Sequence, residues 1–252
     1  MKIYKKNELS LLIKSFGIAD RLYIAVSVLI FFDLNDPDTS LKEQELWSVI
    51  PAQLGQGAVF DPGMAKPRGE VLVTGSCFAP RGLTRRASQV SLRVGNLYKT
   101  LNIFGNRFWK KTGGILKEIS PAEPFTEMPL IWQNAFGGKG FERNPLGKGI
   151  DPTPSPDGTL RVYLPNIEHA NLLVGSPADR PDPAGFAPLD MMWPQRMKKT
   201  GTYDDKWLRE HWPNFPQDMN YEYFNAASED QFIEGFFRAG ESIEIRNMHP
   251  DL

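Results

Sequence analysis

The sequence has 252 residues, of which 41% are hydrophobic and 23% are charged, as is usual for a globular protein with a hydrophobic core. Its 29 basic residues are balanced by 30 acidic ones, and this balance argues against a general nucleic-acid binder. Cys77 is the only cysteine, so no intramolecular disulfide can form, and a lone thiol is typical of a reducing compartment. We expect Cys77 to be a small buried side chain.

The N-terminal segment lacks the pattern of a signal peptide or a membrane span. Lys14 interrupts its first apolar stretch, and no small-residue cleavage site closes it. The apolar run Leu22–Phe32 has eleven residues, whereas a transmembrane helix needs about 20. We therefore expect a cytoplasmic protein that has no membrane partner.

The first strands are predicted near the N-terminus. Arg21–Asp33 is rich in β-branched and aromatic residues, which predicts a central strand covered on both faces, with Leu9–Phe16 as its partner. Asp38–Trp47 predicts either one short helix or an exposed excursion from the core. Gly55–Arg68 contains a cluster of glycine and proline residues and predicts a loop.

The clearest local pattern is a β-hairpin over Ser88–Phe104. Gly95 and Asn96 form a two-residue turn, with glycine at a position that favours a positive φ angle. The turn pairs Val94 with Leu97 and thereby sets the register of the whole hairpin. One face is then mostly apolar and the other mostly polar, as expected for a sheet with one side in water.

Further short strands complete the expected fold. They are predicted at Glu70–Cys77, Gly114–Ile119, Leu130–Phe136, Leu160–Tyr163 and Ser242–Asn247. Later in the chain, apolar residues alternate with many prolines, which indicates ordered loops attached to a core. We expect one mainly β domain, with an antiparallel β-sandwich-like core in residues 1–136 and a Pro-rich, loop-rich, partly helical half in residues 137–252 packed on it.

One helix is predicted in that second half. Thr202 and Asp205 have the spacing of a capping box, in which two side chains bind unpaired backbone amides at the start of a helix. Leu208 and Trp212 would then share one face of the helix, and Pro213 would end it.

The sequence contains no pattern that identifies a catalytic, cofactor-binding or metal-binding site. Lys139 and Lys148 each lie between glycines, but a phosphate-binding loop also needs Ser or Thr after its lysine, so sharp loop turns explain these glycines better. His169, His211 and His249 are scattered and lack metal-ligand spacing. We expect no catalytic residue, no cofactor and no metal ion.

Paired carboxylates leave a carbohydrate-binding or hydrolytic domain as an alternative. Asp204 and Asp205 form one pair, Glu229 and Asp230 form another, and six tryptophans could line a sugar-binding cleft. Helix capping accounts for the first pair and a solvated turn for the second, so we favour a protein that is not an enzyme.

The aromatic residues favour a protein-binding surface. Pro, Trp and Tyr are dense in residues 184–228, and large rings held by Pro-rich loops form a preorganised surface. The candidate partner-binding residues in this region are Tyr203, Trp207, Tyr221 and Tyr223. A second candidate patch consists of Arg81, Arg85 and Arg86. The alternative role of the rings is to pack irregular loops, and the alternative for the arginines is a solvated loop.

A series of short segments follows in a fixed order between residues 68 and 250. They are Arg68–Pro80, Val90–Leu101, Phe104–Trp109, Pro124–Pro129, Ala135–Gly138, Asn144–Gly149, Leu164–Glu168, Pro183–Pro188, Trp193-Pro194, Gly201–Leu208, Phe224–Ala227, Asp230-Gln231 and His249-Pro250. Each segment alone is weakly specific, but the ordered set resembles the bacterial family named domain of unknown function 2169. The first 65 residues match more loosely, chiefly through the strand that ends in Phe31-Phe32-Asp33.

The resemblance implies an adaptor or chaperone for type VI secretion effectors. Similar proteins look like cytoplasmic chains that bind an effector with a PAAR-like domain and assist its loading on the spike, with the spike protein as a second partner. The family offers no catalytic residues to carry over. The resemblance also implies that this chain is truncated before a further C-terminal region. A scaffold that joins spike components is a further alternative.

Overall fold

The computed structural model describes residues 10–18, 21–29, 66–238 and 240–249. The fold is mainly β with few and short helices, which confirms the predicted fold class. The chain forms two compact units. The first combines residues before 68 with Leu189–Ala226, and the second combines Arg68–Pro188 with the residues from 227 onward.

The described part of the first unit contains a β-hairpin and short helical segments. These are β1 (Ser10–Ile18), β2 (Arg21–Leu29), the helices Pro194–Met197 and Asp205–Glu210, and the 3₁₀ turn Tyr221–Phe224. β1 and β2 pair in antiparallel register along their whole length, which confirms the predicted partner strand. β2 is not the covered central strand we expected, because its described sheet has two strands and Leu22, Ile24 and Val26 are exposed. Asp38–Trp47 and residues 55–65 of the predicted loop lie outside the described residues.

The second unit contains the remaining described strands. They are β3 (Gly69–Glu70), β4 (Ser76–Phe78), β5 (Ala87–Val94), β6 (Leu97–Phe104), β7 (Trp109–Thr112), β8 (Ile115–Ile119), β9 (Glu127–Pro129), β10 (Phe136–Gly137), β11 (Lys148–Gly149), β12 (Pro152–Pro154), β13 (Leu160–Val162), β14 (Ile167–His169), β15 (Phe232–Ile233) and β16 (Ile243–Arg246). Two 3₁₀ turns, Trp132–Asn134 and Glu229–Gln231, complete the unit. Its largest sheet has the order β14-β6-β5-β16, and all three strand pairs are antiparallel. This sheet therefore combines strands from both sides of residue 136.

The predicted hairpin forms β5 and β6 with the expected register. Val94 pairs with Leu97, and Gly95 in the turn has a φ of 56°. The face expected to be apolar is buried and includes Leu92. Lys99 pairs with Leu92 on this same face, so a lysine side chain points into the interior.

Two hydrophobic clusters fill the second unit. The larger one consists of Cys77, Val90, Leu92, Val94, Leu101, Ile103, Phe125, Met128, Leu130, Ile167, Ala184 and Phe186. The smaller one is built on Trp109, Phe136, Leu164 and Val174. The thiol of Cys77 is fully buried, as the sequence predicted, and burial raises its pKa.

Two strand predictions in this unit need correction. Leu130–Phe136 is not one strand, because Trp132 starts a 3₁₀ turn and its indole Nε1 donates to the carbonyl of Ala187 at 3.0 Å. Glu70–Cys77 is divided between β3 and β4, and the backbone N–H of Val71 donates to the Gln231 carbonyl at 3.1 Å. In both places a segment that is distant along the chain supplies a hydrogen-bond acceptor.

Candidate functional site

Tyr203 and Trp207 form a ring contact at the start of the helix Asp205–Glu210. Their ring centroids are 4.7 Å apart in an edge-to-face arrangement. The backbone N–H of Trp207 donates to Asp204 Oδ1 at 2.7 Å, and its indole Nε1 donates to the Asn214 carbonyl at 2.9 Å. Trp207 is half-buried, whereas Tyr203 is exposed. The pair is therefore held in one geometry and leaves the tyrosine ring open to solvent.

The predicted capping box is wrong. Asp204 is the N-cap of the helix: it directly precedes the first helical residue, and its carboxylate accepts a hydrogen bond from the Trp207 backbone N–H. The Thr202 hydroxyl and backbone N–H instead donate to the Asp218 carboxylate, at 2.7 and 3.0 Å. These hydrogen bonds, the backbone one first, hold the pKa of Asp218 below its ordinary value. Thr202 and Asp218 thus form a clamp across the loop that carries the helix.

The other two candidate tyrosines, Tyr221 and Tyr223, are half-buried. Tyr221 and Tyr223 pack against Phe224, with ring centroids 6.2 and 5.3 Å apart. The buried Arg196 donates to the Tyr223 carbonyl from Nε and from one terminal nitrogen, and to the Leu189 carbonyl from the other. Its guanidinium also lies 5.2 Å over the Tyr223 ring. These rings fix irregular loops, which is the packing role considered beside the binding role.

Large apolar side chains are exposed in the same part of the first unit. They include Met192, Tyr203, Leu208 and Trp212, and we refer to these four as the Trp212 group. Trp212 is 65% exposed and lies beyond the helix, which ends at Glu210, and Leu208 within the helix is 58% exposed. The Trp212 backbone N–H donates to the Trp207 carbonyl at 3.0 Å, so the exposed ring is attached to the fixed pair. Exposed apolar groups on a fixed backbone are typical of binding surfaces.

All three arginines of the second candidate patch are exposed. Arg85 pairs through its backbone with Phe125, at 2.9 and 2.7 Å. The Arg86 guanidinium donates to the Ala122 carbonyl. The structure thus places Arg81, Arg85 and Arg86 on one surface loop, and it attaches two of them to the segment that precedes β9.

Lys99 is the centre of a buried polar network in the second unit. The side chain is 3% exposed, and its ammonium donates to Ser228 Oγ at 3.1 Å and to Asp230 Oδ1 and Gln231 Oε1 at 2.8 Å. A fourth acceptor is the Gly185 carbonyl. Burial lowers the pKa of Lys99, and Asp230 opposes this effect. Every N–H of the ammonium has an acceptor, so the group is engaged as a structural crosslink and is not available as a nucleophile.

A second buried network joins Arg107 and Glu168. The Glu168 carboxylate accepts from the Arg107 guanidinium and from the Val174 backbone N–H, the latter at 2.9 Å. Burial raises the pKa of Glu168, while both donors oppose the rise. The Arg107 guanidinium also lies 3.7 Å from the Phe104 ring centroid. The Glu168 carboxylate therefore has two donors in the interior, whereas Arg107 Nε is buried without a hydrogen-bond partner among the described residues.

Close packing or a positive φ explains the glycines around Lys139 and Lys148. Gly140 has open space beside it but a φ of 81°. A Cβ on Gly147 would lie 2.7 Å from both the Ala135 carbonyl oxygen and the Gly137 Cα. The Lys148 ammonium donates to Asn166 Oδ1, and burial lowers its pKa. This supports the interpretation of the segment as tight loops.

One carboxylate of each pair considered for catalysis has a structural partner. Asp204 caps a helix, and Asp230 forms an ion pair with Lys99. Three tryptophans that could have lined a cleft, Trp109, Trp132 and Trp193, are buried. Across the described ranges, no three His, Cys, Asp or Glu side chains are grouped so that they could hold a metal ion.

Sequence reasoning missed a second exposed apolar region, in the second unit. Phe236, Phe237, Ile243 and Ile245 are all exposed within ten residues. The strand in this region was predicted at Ser242–Asn247, but the exposure of its side chains depends on the order of strands in the sheet.

The comparisons with known proteins identify a family. No helix in the described ranges is both long and apolar enough to span a membrane. Neither a curated protein nor a solved structure matches the chain. One family model matches residues 19–252, which is most of the chain. The chain therefore belongs to the family described as uncharacterized protein conserved in bacteria (DUF2169).

Proposed function

We propose that this chain is a cytoplasmic adaptor that binds a type VI secretion effector with a PAAR-like domain and assists its loading on the spike. The protein acts by holding the effector and does not make or break covalent bonds. The resemblance of the ordered segments supports the effector as partner, and the buried, compensated charges of the second unit are consistent with a structural role.

The observation that carries this proposal is the Trp212 group. Leu208 and Trp212 are exposed on a segment that is fixed by the Asp204 cap and by the clamp between Thr202 and Asp218. A preordered surface loses little conformational entropy on binding, and buried Trp and Tyr residues dominate the energy of many protein interfaces. Such a surface can cover an apolar region of the effector until the spike accepts it.

The proposal is tested by expressing the chain with a PAAR-like effector encoded beside it and separating the products by size exclusion. We expect co-elution and more soluble effector than in its absence. Trp212→Ala should weaken the complex about tenfold or more, since truncation of a central aromatic residue commonly costs about 2 kcal/mol. Tyr98→Ala removes a ring of similar exposure, 61%, from the polar face of the hairpin and is the matched control.

The outcomes separate the alternatives. Separate elution of a folded effector and a folded chain would refute the adaptor function. Binding to spike subunits in the absence of any effector would favour a scaffold. Turnover of a sugar substrate that is lost on changing one carboxylate would favour a hydrolytic domain.

A further inference from the structure

β16 forms one edge of the four-stranded sheet. In the order β14-β6-β5-β16 it pairs with β5 on one side only. In the described part of the chain, no strand pairs with the other side of Ile243–Arg246. All four side chains of this strand are exposed, including Ile243 at 59% and Ile245 at 41%. An uncovered edge presents backbone donors and acceptors to other chains.

The register shows which backbone groups face the open side. The two-residue turn makes Val94 and Leu97 a hydrogen-bonded pair, so the N–H and C=O of Arg93 point away from β6 and toward β16. Arg93 pairs with Glu244, whose backbone groups therefore point toward β5. The N–H and C=O of Ile243 and Ile245, on either side of Glu244, point outward.

A hydrogen bond at the start of the strand agrees with this alternation. The Gly95 N–H donates to the Ser242 carbonyl at 3.0 Å, so even-numbered residues face β5. Beyond the end of the strand, Asn247 has a φ of 58° and its carbonyl accepts from the Phe78 N–H at 3.0 Å. Within the described part of the chain, the outer edge of β16 is open along Ile243–Ile245.

The core face of the sheet continues onto this edge without a cover among the described residues. Ile243 pairs with Val94 and Ile245 with Leu92, so the two isoleucines share the face of two buried core residues. An open groove of about 680 Å³ lies beside the hairpin turn and Glu241, which precedes β16, and its apolar lining includes Leu97 and Phe236. A strand added along β16 would bury apolar side chains of its own at alternate positions.

The opposite face of β16 carries charges of both signs. Glu244 and Arg246 are exposed, and their mutual ion pair is long at 3.5 Å, so both can interact with a neighbouring strand. A basic residue beside Glu244 and an acidic residue beside Arg246 would match this pattern. The edge therefore defines an occupant: a short extended segment with alternate apolar residues on one face and a basic and an acidic residue on the other.

We propose that β16 binds one extended segment of the partner protein by strand addition, with backbone hydrogen bonds to Ile243 and Ile245. This inference rests on the proposed adaptor function, because the partner that supplies the segment is the effector. It assigns the second unit a contact with the effector that is independent of the Trp212 group. Backbone pairing supplies affinity in such complexes, and the alternate side chains supply specificity.

Amide hydrogen exchange resolved by residue tests the open edge in the free chain. The N–H groups of Glu244 and Arg246 should be protected, and those of Ile243 and Ile245 should exchange rapidly. In the complex with the PAAR-like effector, Ile243 and Ile245 should become protected as well. Protection of all four amides in the free chain would show that the edge is already covered and would overturn the proposal. Rapid exchange of Ile243 and Ile245 in the complex would overturn it too.

A pair of variants tests the contribution of the edge to binding. Ile245→Pro removes an outward N–H and leaves the β5 pairing of Glu244 and Arg246 in place, since proline is tolerated at such edge positions. Ile245→Thr removes a similar apolar group but keeps the N–H. We expect Ile245→Pro to weaken effector binding about tenfold or more and Ile245→Thr to weaken it less than about threefold. Retained protection of Glu244 and Arg246 verifies that the proline variant is folded.

The results distinguish this inference from the adaptor function itself. Equal binding by wild type and a folded Ile245→Pro variant would overturn strand addition and leave the adaptor function intact. Lack of effector binding by the wild-type chain would overturn both. A dimer of the free chain that Ile245→Pro dissociates would assign the edge to a second copy, which also overturns the proposal.

Discussion

The interior of the second unit and the Trp212 group of the first unit use polar and aromatic residues in opposite ways. In the interior, Lys99, Gly185 and Gln231 come from three separate segments of the family pattern and meet in one hydrogen-bond network. In the first unit, Met192 and Trp212 are exposed and lie outside those segments. The family resemblance therefore describes the framework of the protein better than the surface that we propose for binding, although Tyr203 and Leu208 belong to both.

The largest expected loss of stability comes from a steric clash in the interior of the second unit. A Cβ at Gly105 would lie 1.7 Å from the Glu123 carbonyl oxygen, so Gly105→Ala forces two backbone segments apart. We expect the free energy of unfolding to fall by about 3 kcal/mol or more in urea denaturation. Gly175→Ala is the control, because its Cβ would meet only Asp179 at 3.8 Å, and it should change stability by less than about 0.5 kcal/mol. Similar stabilities of the two variants would contradict the packing described.

The next largest loss of stability is expected when the Lys99 side chain, the centre of the buried network, is removed. Lys99→Ala leaves the Gly185 carbonyl without its ammonium donor and removes one of the two donors to Gln231 Oε1, which should lower the free energy of unfolding by about 3 kcal/mol. Tyr98→Ala, on the exposed face of the same strand, should cost less than about 1 kcal/mol. Chemical denaturation measures both. A Lys99→Ala variant as stable as Tyr98→Ala would show that the network does not stabilise the fold.

A smaller effect on stability is expected at the exposed surface. Trp212→Ala should change the free energy of unfolding by less than about 1 kcal/mol, since its ring is mostly in water, while it weakens effector binding. Denaturation and binding measured on one preparation separate the two quantities. A large loss of stability in Trp212→Ala would show that Trp212 packs in the fold, as the interior residues do, and is not an exposed binding residue.

The smallest effect concerns the clamp between Thr202 and Asp218. The hydrogen bonds hold the folded pKa of Asp218 below its ordinary value of 3.8, so their stabilisation is present above that pH. It is lost as the pH falls through the folded pKa. Thermal unfolding measured between about pH 5 and about pH 2 should therefore show a difference in Tm between wild type and Asp218→Asn that becomes smaller as the pH falls. A Tm difference that does not change with pH would show that the ionised Asp218 carboxylate does not stabilise the fold.

Local patterns were predictable from the sequence, and long-range partners were not. The hairpin of β5 and β6 was predicted in full, because Gly95 and Asn96 fix both the turn and the register. The role of Lys99 was not, because its acceptors are 86 to 132 residues away along the chain. The helix near Trp207 was predicted with the wrong cap, since the hydroxyl of Thr202 bonds a carboxylate 16 residues later.

In the candidate site, too, the long-range packing of side chains could not be predicted from the sequence. The sequence left both a binding and a packing role open for the aromatic candidates. In the structure Tyr203 is exposed, whereas Tyr221 and Tyr223 are half-buried and pack around Phe224. The strand predicted at Ser242–Asn247 is present as β16. That the strand lies at an edge follows only from the order of strands in the sheet, which pairs segments more than a hundred residues apart.

The burial of Cys77 makes the protein convenient for site-specific fluorescence. It is the only sulfhydryl in the chain, it has no solvent-accessible surface, and its raised pKa keeps it protonated at neutral pH. A maleimide dye will therefore react with a cysteine introduced at an exposed position and spare the native one. Energy transfer between such a dye and a labelled partner can report binding of the partner, and Cys77 does not have to be replaced first.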